Sequence, residues 1–175
     1  MIELRSIRDG DQEAFLEMLT DSAVNKTYML PDFAAKNDAI PLFQRLQALS
    51  LEEKRFVRCI SWDGKAVGFL NDVVIEDGKI ELGYVIHPKH HNKGYMTAAL
   101  KLAIAQLLEA GYQQVICGAF EGNDASLRVM EKSGMQPVPY SDTVQYRGKT
   151  HRCIYYATQK ENRDAEIPLP CAGSR

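Results

Sequence analysis

Apolar and polar residues alternate through Ile2-Glu3-Leu4-Arg5-Ser6-Ile7, the period-two signature of a half-buried strand. Asp9, Gly10 and Asp11 follow, and Phe15, Leu16 and Leu19 then recur at helical spacing, so a strand feeds a helix behind an acidic start. Residues 20 to 37, with Tyr28-Met29-Leu30-Pro31-Asp32-Phe33, mix aromatics with breakers and predict a loop-rich lid before a helix over about 38 to 50. Two Asp-Gly pairs, Asp63-Gly64 and Asp77-Gly78, divide three apolar runs near 55 to 62, 66 to 75 and 79 to 87. Asp-Gly supplies the positive φ values of a tight hairpin, so the middle of the chain reads as an antiparallel meander.

The period then changes. Met96, Ala99, Leu100, Ala103, Ile104, Leu107 and Leu108 lie on one face of a helix that ends at Gly111. Residues 112 to 120 form another strand, 123 to 133 a short helix closed by Gly134, and 136 to 158 a hairpin around Arg147-Gly148-Lys149. The passage from 80 to 120 is strand, helix, strand. It needs a crossover, so its two strands are expected to be parallel neighbours. The fold class is α/β, with a mixed sheet of α+β character that is mostly antiparallel. From about 160 the composition turns to that of a tail, which divides the chain into a domain at 1–160 and a C-terminal segment at 161–175. That segment is expected to dock on its own surface or a neighbour's.

A chain of 175 residues suits one domain and can bury roughly 70% of its unfolded surface. With 21 basic and 23 acidic residues, a net charge of −2 and no basic run, no nucleic-acid footprint is visible. No apolar run reaches the length of a membrane span, and Met1-Ile2-Glu3-Leu4-Arg5 opens a strand pattern rather than a signal segment, so a cytoplasmic location is expected. Cys59, Cys117, Cys153 and Cys171 form no C-x-x-C pair and read as reduced thiols, with Cys117 a small core hydrophobe.

Candidate chemistry begins at His87-Pro88-Lys89-His90-His91-Asn92-Lys93-Gly94-Tyr95-Met96-Thr97, where an apolar strand breaks and a helix restarts. The first N–H groups of a helix lack intrahelical partners and carry the positive end of the macrodipole, so the junction suits an anion such as phosphate. Gly94 allows close approach to the backbone. Three imidazoles within five residues raise a metal site as the alternative. Pro88 argues against a helix there, and no carboxylate or cysteine stands at ligand spacing, so no metal is expected.

The junction resembles the acetyl-CoA-binding motif of the GCN5-related N-acetyltransferases (GNAT), Gln/Arg-x-x-Gly-x-Gly/Ala, which falls here on His91, Gly94 and Met96; the first and last depart from the consensus. Its Asn-Lys-Gly-Tyr-Met-Thr wording is similar to the RimJ/RimL-like branch. A second segment, Asn123-Asp124-Ala125-Ser126 through Glu131-Lys132-Ser133-Gly134-Met135, resembles the family's Asn-x-x-Ala/Ser…Glu-Lys-x-Gly-Phe element. The resemblance covers about residues 80 to 135. It implies a single domain whose central sheet carries a parallel fourth and fifth strand splayed at the acetyl-CoA site, with helices on both faces.

The resemblance also implies roles. Backbone groups of Tyr84, Val85 and Ile86 would bind the pantetheine arm and face the acetyl oxygen, while the side chains of Tyr84 and Ile86 pack in the core. Backbone amides of His91, Asn92, Lys93, Gly94, Tyr95, Met96 and Thr97 would cradle the pyrophosphate. Glu81 is the acidic residue best placed as base, on the strand face shared with Gly83 and Val85, where an apolar cleft would raise its pKa; a solvated glutamate at an edge, or a partner for a lysine, is the alternative. Asn123 and Ser126 would contact the cofactor arm, though Asn123 equally reads as a helix N-cap. Many members carry a tyrosine seven residues after the asparagine as acid. Met130 stands there, leaving Ser126, Tyr140 or bulk water to protonate the thiolate.

The implied activity is transfer of an acetyl group from acetyl-CoA, as cosubstrate, to a primary amine on a protein N-terminus or a small molecule, by direct attack in a ternary complex. A homodimer is a possible assembly. Tyr28, Phe33 and Phe43 hint at an acceptor with an apolar part. A noncatalytic acyl-CoA-binding sensor or assembly module with the same fold is the alternative. A nucleotide binder lacks a Gly-x-x-x-x-Gly-Lys-Ser/Thr or Gly-x-Gly-x-x-Gly motif.

Overall fold

The computed structural model describes residues 1–159. The expected C-terminal segment at 161–175 lies outside the described residues. Seven strands, β1 (Ile2–Arg5), β2 (Val57–Trp62), β3 (Lys65–Glu76), β4 (Lys79–Ile86), β5 (Gln114–Phe120), β6 (Gln136–Tyr146) and β7 (Lys149–Ala157), form one mixed sheet of order β1-β2-β3-β4-β5-β7-β6. Five helices accompany it: α1 (Gln12–Thr20), α2 (Val24–Thr27), α3 (Ile40–Leu49), α4 (Tyr95–Glu109) and α5 (Asp124–Lys132).

Three hairpins turn on two residues each, and the turn residues dictate the geometry. Asp63 and Gly64 have φ of 49° and 79°, Asp77 and Gly78 of 51° and 74°, and Arg147 and Gly148 of 51° and 71°. Two successive positive φ values make the type I′ turn, whose twist matches that of the flanking strands. Between β4 and β5 the chain crosses over through α4, and the two strands pair in parallel, Lys79 with Gln114 through Leu82 with Cys117. The strand, helix, strand reading of residues 80 to 120 therefore holds.

The described residues divide into two compact units, 1–71 with 84–99, and 72–83 with 100–159. In the first, α1 supplies Phe15, Leu16, Met18 and Leu19 to a core completed by Phe43 and Leu46 of α3, Val57 and Cys59 of β2, Phe69 of β3 and Val85 of β4. Phe15 stacks on Phe69 at 5.3 Å and meets Phe43 edge-on at 5.6 Å. Truncating a ring so enclosed costs about 3–5 kcal/mol. The acidic start of α1 has a structural duty. Asp11 takes both guanidinium nitrogens of Arg5, at 2.7 and 2.8 Å, and the Arg8 N–H at 2.8 Å. Burial works against the Asp11 charge, but these bonds outweigh it and hold the carboxyl below its ordinary range. The expected lid is mostly irregular, interrupted by α2 and the start of a 3-10 turn at Lys36–Ala39, and Tyr28 Oη donates to Asn71 Oδ1 at 2.6 Å.

In the second unit, β5 is flanked by β4 and β7. Gly118 faces Tyr155 across the β5–β7 ladder, and a Cβ at 118 would lie 2.7 Å from the Tyr155 ring. The ring occupies the space the glycine leaves, and Tyr140 packs against it at 5.3 Å. Tyr156 Oη donates to Glu131 of α5 at 2.9 Å. Thr158 closes the sheet end: its Oγ1 accepts from the Val115 N–H at 3.0 Å and its own N–H donates to Val115 O at 2.9 Å.

Candidate active site

The candidate residues fall into two sets, one in each unit. The first is the junction from β4 to α4. Val85 is buried while Tyr84 and Ile86 are half-buried, so the core packing expected of those two side chains is only partial. A Cβ on Gly68 would lie only 2.4 Å from Val85 O, so β3 and the end of β4 approach closely because position 68 has no side chain. The His87 N–H then donates to Val67 O at 2.8 Å.

Beyond His87 the chain makes one turn of 3-10 helix, Pro88–His90. The expectation that Pro88 keeps this segment non-helical is corrected: proline sits at the first position of the turn, where no N–H is needed and its fixed φ is already suitable. Among the described residues no group of three or more His, Cys, Asp or Glu side chains is arranged to hold a metal. His87 is engaged elsewhere, its Nε2 lying 2.8 Å from Glu17 Oε2 of α1.

Asn92 and Gly94 take left-handed φ values of 60° and 75°, and α4 starts at Tyr95. The first bond of the new helix runs from the Ala98 N–H to Gly94 O at 3.1 Å. The amides of Tyr95, Met96 and Thr97 precede it and have no partner inside the helix. A Cβ on Gly94 would meet nothing within 4 Å. Glycine is needed there for its φ, and the space beside the turn is open to a ligand. A phosphate fits this arrangement of donors and dipole.

Side chains line the turn. His91 Nε2 lies 3.2 Å from Ile86 O, folding that ring back on the strand end. Tyr95 stacks on Trp62 at the end of β2 with centroids 5.6 Å apart, and the Lys93 ammonium lies 5.9 Å over the Tyr95 ring. Burial, then the positive charges of nearby Lys93 and Lys89, lower the His90 pKa. Lys93 is an exposed cation of the turn.

The second set lies on β4, β6 and α5. Glu81 is 3% exposed, in register with Ile116 of β5, and Cys117 lies beside it: burial first, then the Glu81 charge, push the Cys117 thiol up. The solvated-edge alternative for Glu81 is thereby overturned, because β4 is an interior strand. Asn123 is the N-cap of α5, its Oδ1 accepting the Ser126 N–H at 3.3 Å, and Ser126 is half-buried in the first turn. Tyr140 lies within β6, at the irregularity between Pro137 and Ser141. Met130 is fully buried and is a core residue.

Two contributors were missed from sequence: Glu17, seventy residues from His87, and Trp62, which reads as an ordinary strand end. Only the helical repeat of α1 carried any signal for Glu17, by leaving it off the apolar face.

These features define a mixed α/β protein with a left-handed, glycine-led turn where its parallel strand hands over to a helix. Residues 2–136 match the family model for the acetyltransferase (GNAT) domain, and the chain belongs to that family. Acetyl-CoA-dependent acetyl transfer is the chemistry of the family. Among solved structures, a GNAT-family acetyltransferase from Bacillus anthracis is 24% identical, with 92% of this chain and 96% of that chain covered and a TM-score of 0.73. The Microcin C7 self-immunity acetyltransferase MccE, in complex with acetyl-CoA and AMP, is 17% identical over 90% of this chain and 91% of its own, with a TM-score of 0.75. RimL, the ribosomal L7/L12 alpha-N-protein acetyltransferase, in complex with coenzyme A, is 16% identical over 89% and 92%, with a TM-score of 0.76. No curated protein matches the chain. No described helix is long and apolar enough to cross a membrane.

Proposed function

We propose that this chain is an N-acetyltransferase of the RimJ/RimL-like branch, acetylating a primary amine by direct attack within a ternary complex. The observation that carries the reading is the turn from Asn92 to Thr97: two left-handed residues, open space at Gly94 and the first amides of a fifteen-residue helix. The amides from Asn92 to Thr97 hold the pyrophosphate, the expected His91 amide being withdrawn because its N–H donates to Pro88 O at 3.2 Å, and the backbone of Tyr84, Val85 and Ile86 holds the pantetheine arm and polarises the thioester carbonyl. Asn123 and Ser126 reach the arm from α5.

Glu81 accepts the amine proton, directly or through water, and its burial is what suits it to that task. Ser126 or Tyr140 donates to the leaving thiolate, a role the thioether of Met130 cannot take. The acceptor is a protein N-terminus or a small-molecule amine. The protein works in the cytoplasm; buried Cys59, Cys117 and Cys153, all free thiols, support a reducing compartment.

Met130 also supports the second reading, a noncatalytic acyl-CoA sensor. Thermal unfolding with acetyl-CoA, free CoA and ATP in parallel tests both. Coenzyme at a hundred times its dissociation constant stabilises the native state by about 2.7 kcal/mol, and ATP is expected to do less. A coenzyme-specific shift followed by turnover in an amine and peptide panel supports the enzyme. A shift without turnover across the panel favours the sensor, and no shift with either coenzyme species rejects both.

A further inference from the structure

The imidazole of His87 is 7% exposed and takes no part in the chemistry proposed above, yet both of its nitrogens are engaged. Lys89 N–H points at Nδ1 from 3.2 Å, which makes Nδ1 an acceptor and leaves the ring proton on Nε2. That proton is aimed at Glu17 Oε2, 2.8 Å away on α1. The same oxygen takes the Lys89 ammonium at 2.8 Å, and Lys36 lies 3.9 Å from the other carboxylate oxygen while also pairing with Glu13. The hydrogen bonds from Lys89 and then His87 hold the Glu17 carboxyl down at about 2, so it is ionised throughout the working pH range.

We propose that Glu17 and His87 are a positioning pair, through which α1 fixes the Pro88–Gly94 turn in the shape that receives the coenzyme pyrophosphate. The inference rests on the coenzyme-binding reading above. His87 is the last residue of β4's path and the cap of the 3-10 turn, with its N–H on Val67 O and its carbonyl taking the His90 N–H at 2.8 Å. The residues that must turn left-handed, Asn92 and Gly94, follow within seven positions. A ring fixed on both nitrogens sets where that turn begins, whereas a ring released from Glu17 can rotate and let the turn drift. Misplacement of the turn weakens coenzyme binding without touching the acetyl-transfer groups.

The test is calorimetric titration of the full chain with free CoA, which needs no acceptor. Glu17→Ala is expected to weaken binding about tenfold, the size of effect for losing a charge-assisted hydrogen bond. Glu17→Gln keeps an oxygen for the His87 proton and is expected to recover most of that loss. The double variant Glu17→Ala with His87→Gln should bind no worse than the weaker single variant, as expected of a coupled pair. Leu46→Ala, in the same core but away from the turn, should lower the Tm and leave CoA affinity within about twofold, separating positioning from general instability. With an acceptor in hand, Glu17→Ala should raise KM for acetyl-CoA and leave kcat within about twofold. Unchanged CoA affinity in Glu17→Ala, or additive losses in the double variant, overturns the pair. Failure of the unaltered chain to bind CoA overturns the coenzyme reading itself, a result distinct from equal binding by all variants.

Discussion

The turn after β4 and the ladder of β5, β6 and β7 assign work to different parts of the chain. At the turn, backbone performs the proposed binding, and side chains such as His87, Glu17 and Tyr95 serve to hold that backbone in place. In the ladder, backbone is consumed by strand pairing, and the proposed chemistry must come from side chains, Tyr140 of β6 and, on β4 beside the ladder, Glu81. A site built from main-chain amides tolerates His91 and Met96 at consensus positions, because turn shape matters more there than side-chain identity. A site built from a side chain tolerates no loss of that side chain's proton chemistry.

The sharpest way to break the comparison is Glu81→Gln. With Glu81 as base, kcat falls by about a hundredfold to ten-thousandfold while CoA affinity stays level; equal turnover removes Glu81 from the mechanism. Gly68→Ala comes next. Its Cβ would press on a carbonyl oxygen rather than a flexible side chain, so stability should drop by about 3 kcal/mol in chemical denaturation. Retention of wild-type stability would mean that β3 and β4 can separate at that point.

Acid unfolding gives a further test of the first unit. Asp11 has a folded pKa below its ordinary value, so the unfolded chain binds its proton first as the pH falls. The contribution of Asp11 is therefore complete above about pH 4 and is lost as pH falls through the folded value. Asp11→Asn should flatten the loss of stability below about pH 4, and an unchanged slope would deny the Arg5 pairing that role. Gly94→Ala should have the smallest effect on folding, about 1–2 kcal/mol from the left-handed backbone alone, since the added methyl meets no neighbour. Its signature is a larger loss in CoA affinity than in stability; a loss of stability with unchanged affinity would move the cradle away from Gly94.

Much of this was legible before any coordinates. Local chemistry placed the hairpins, because Asp-Gly and Arg-Gly admit two positive φ values in succession, and the seven-residue apolar stripe of α4 placed the crossover. Asn123 was legible as a helix cap, and its side chain caps α5. Pro88 misled because a proline that breaks an α-helix from within opens a 3-10 turn from the front. Pro137 and Pro139 look like breakers, yet β6 accommodates them at an irregularity in its register.

The sequence by itself determined the order of strands and helices, the turns between them and the glycine-led junction, all properties of residues close together along the chain. Tertiary structure decided what needs distant residues to meet. It put Glu17 against His87, laid Trp62 on Tyr95, and took Glu81 out of water by giving β4 neighbours on both sides. Periodicity tells which face of an element is apolar. Only packing tells which polar group is carried inside with it, because burial and hydrogen-bond partners are set by the elements that close over a residue and not by the residue's own neighbours in the chain.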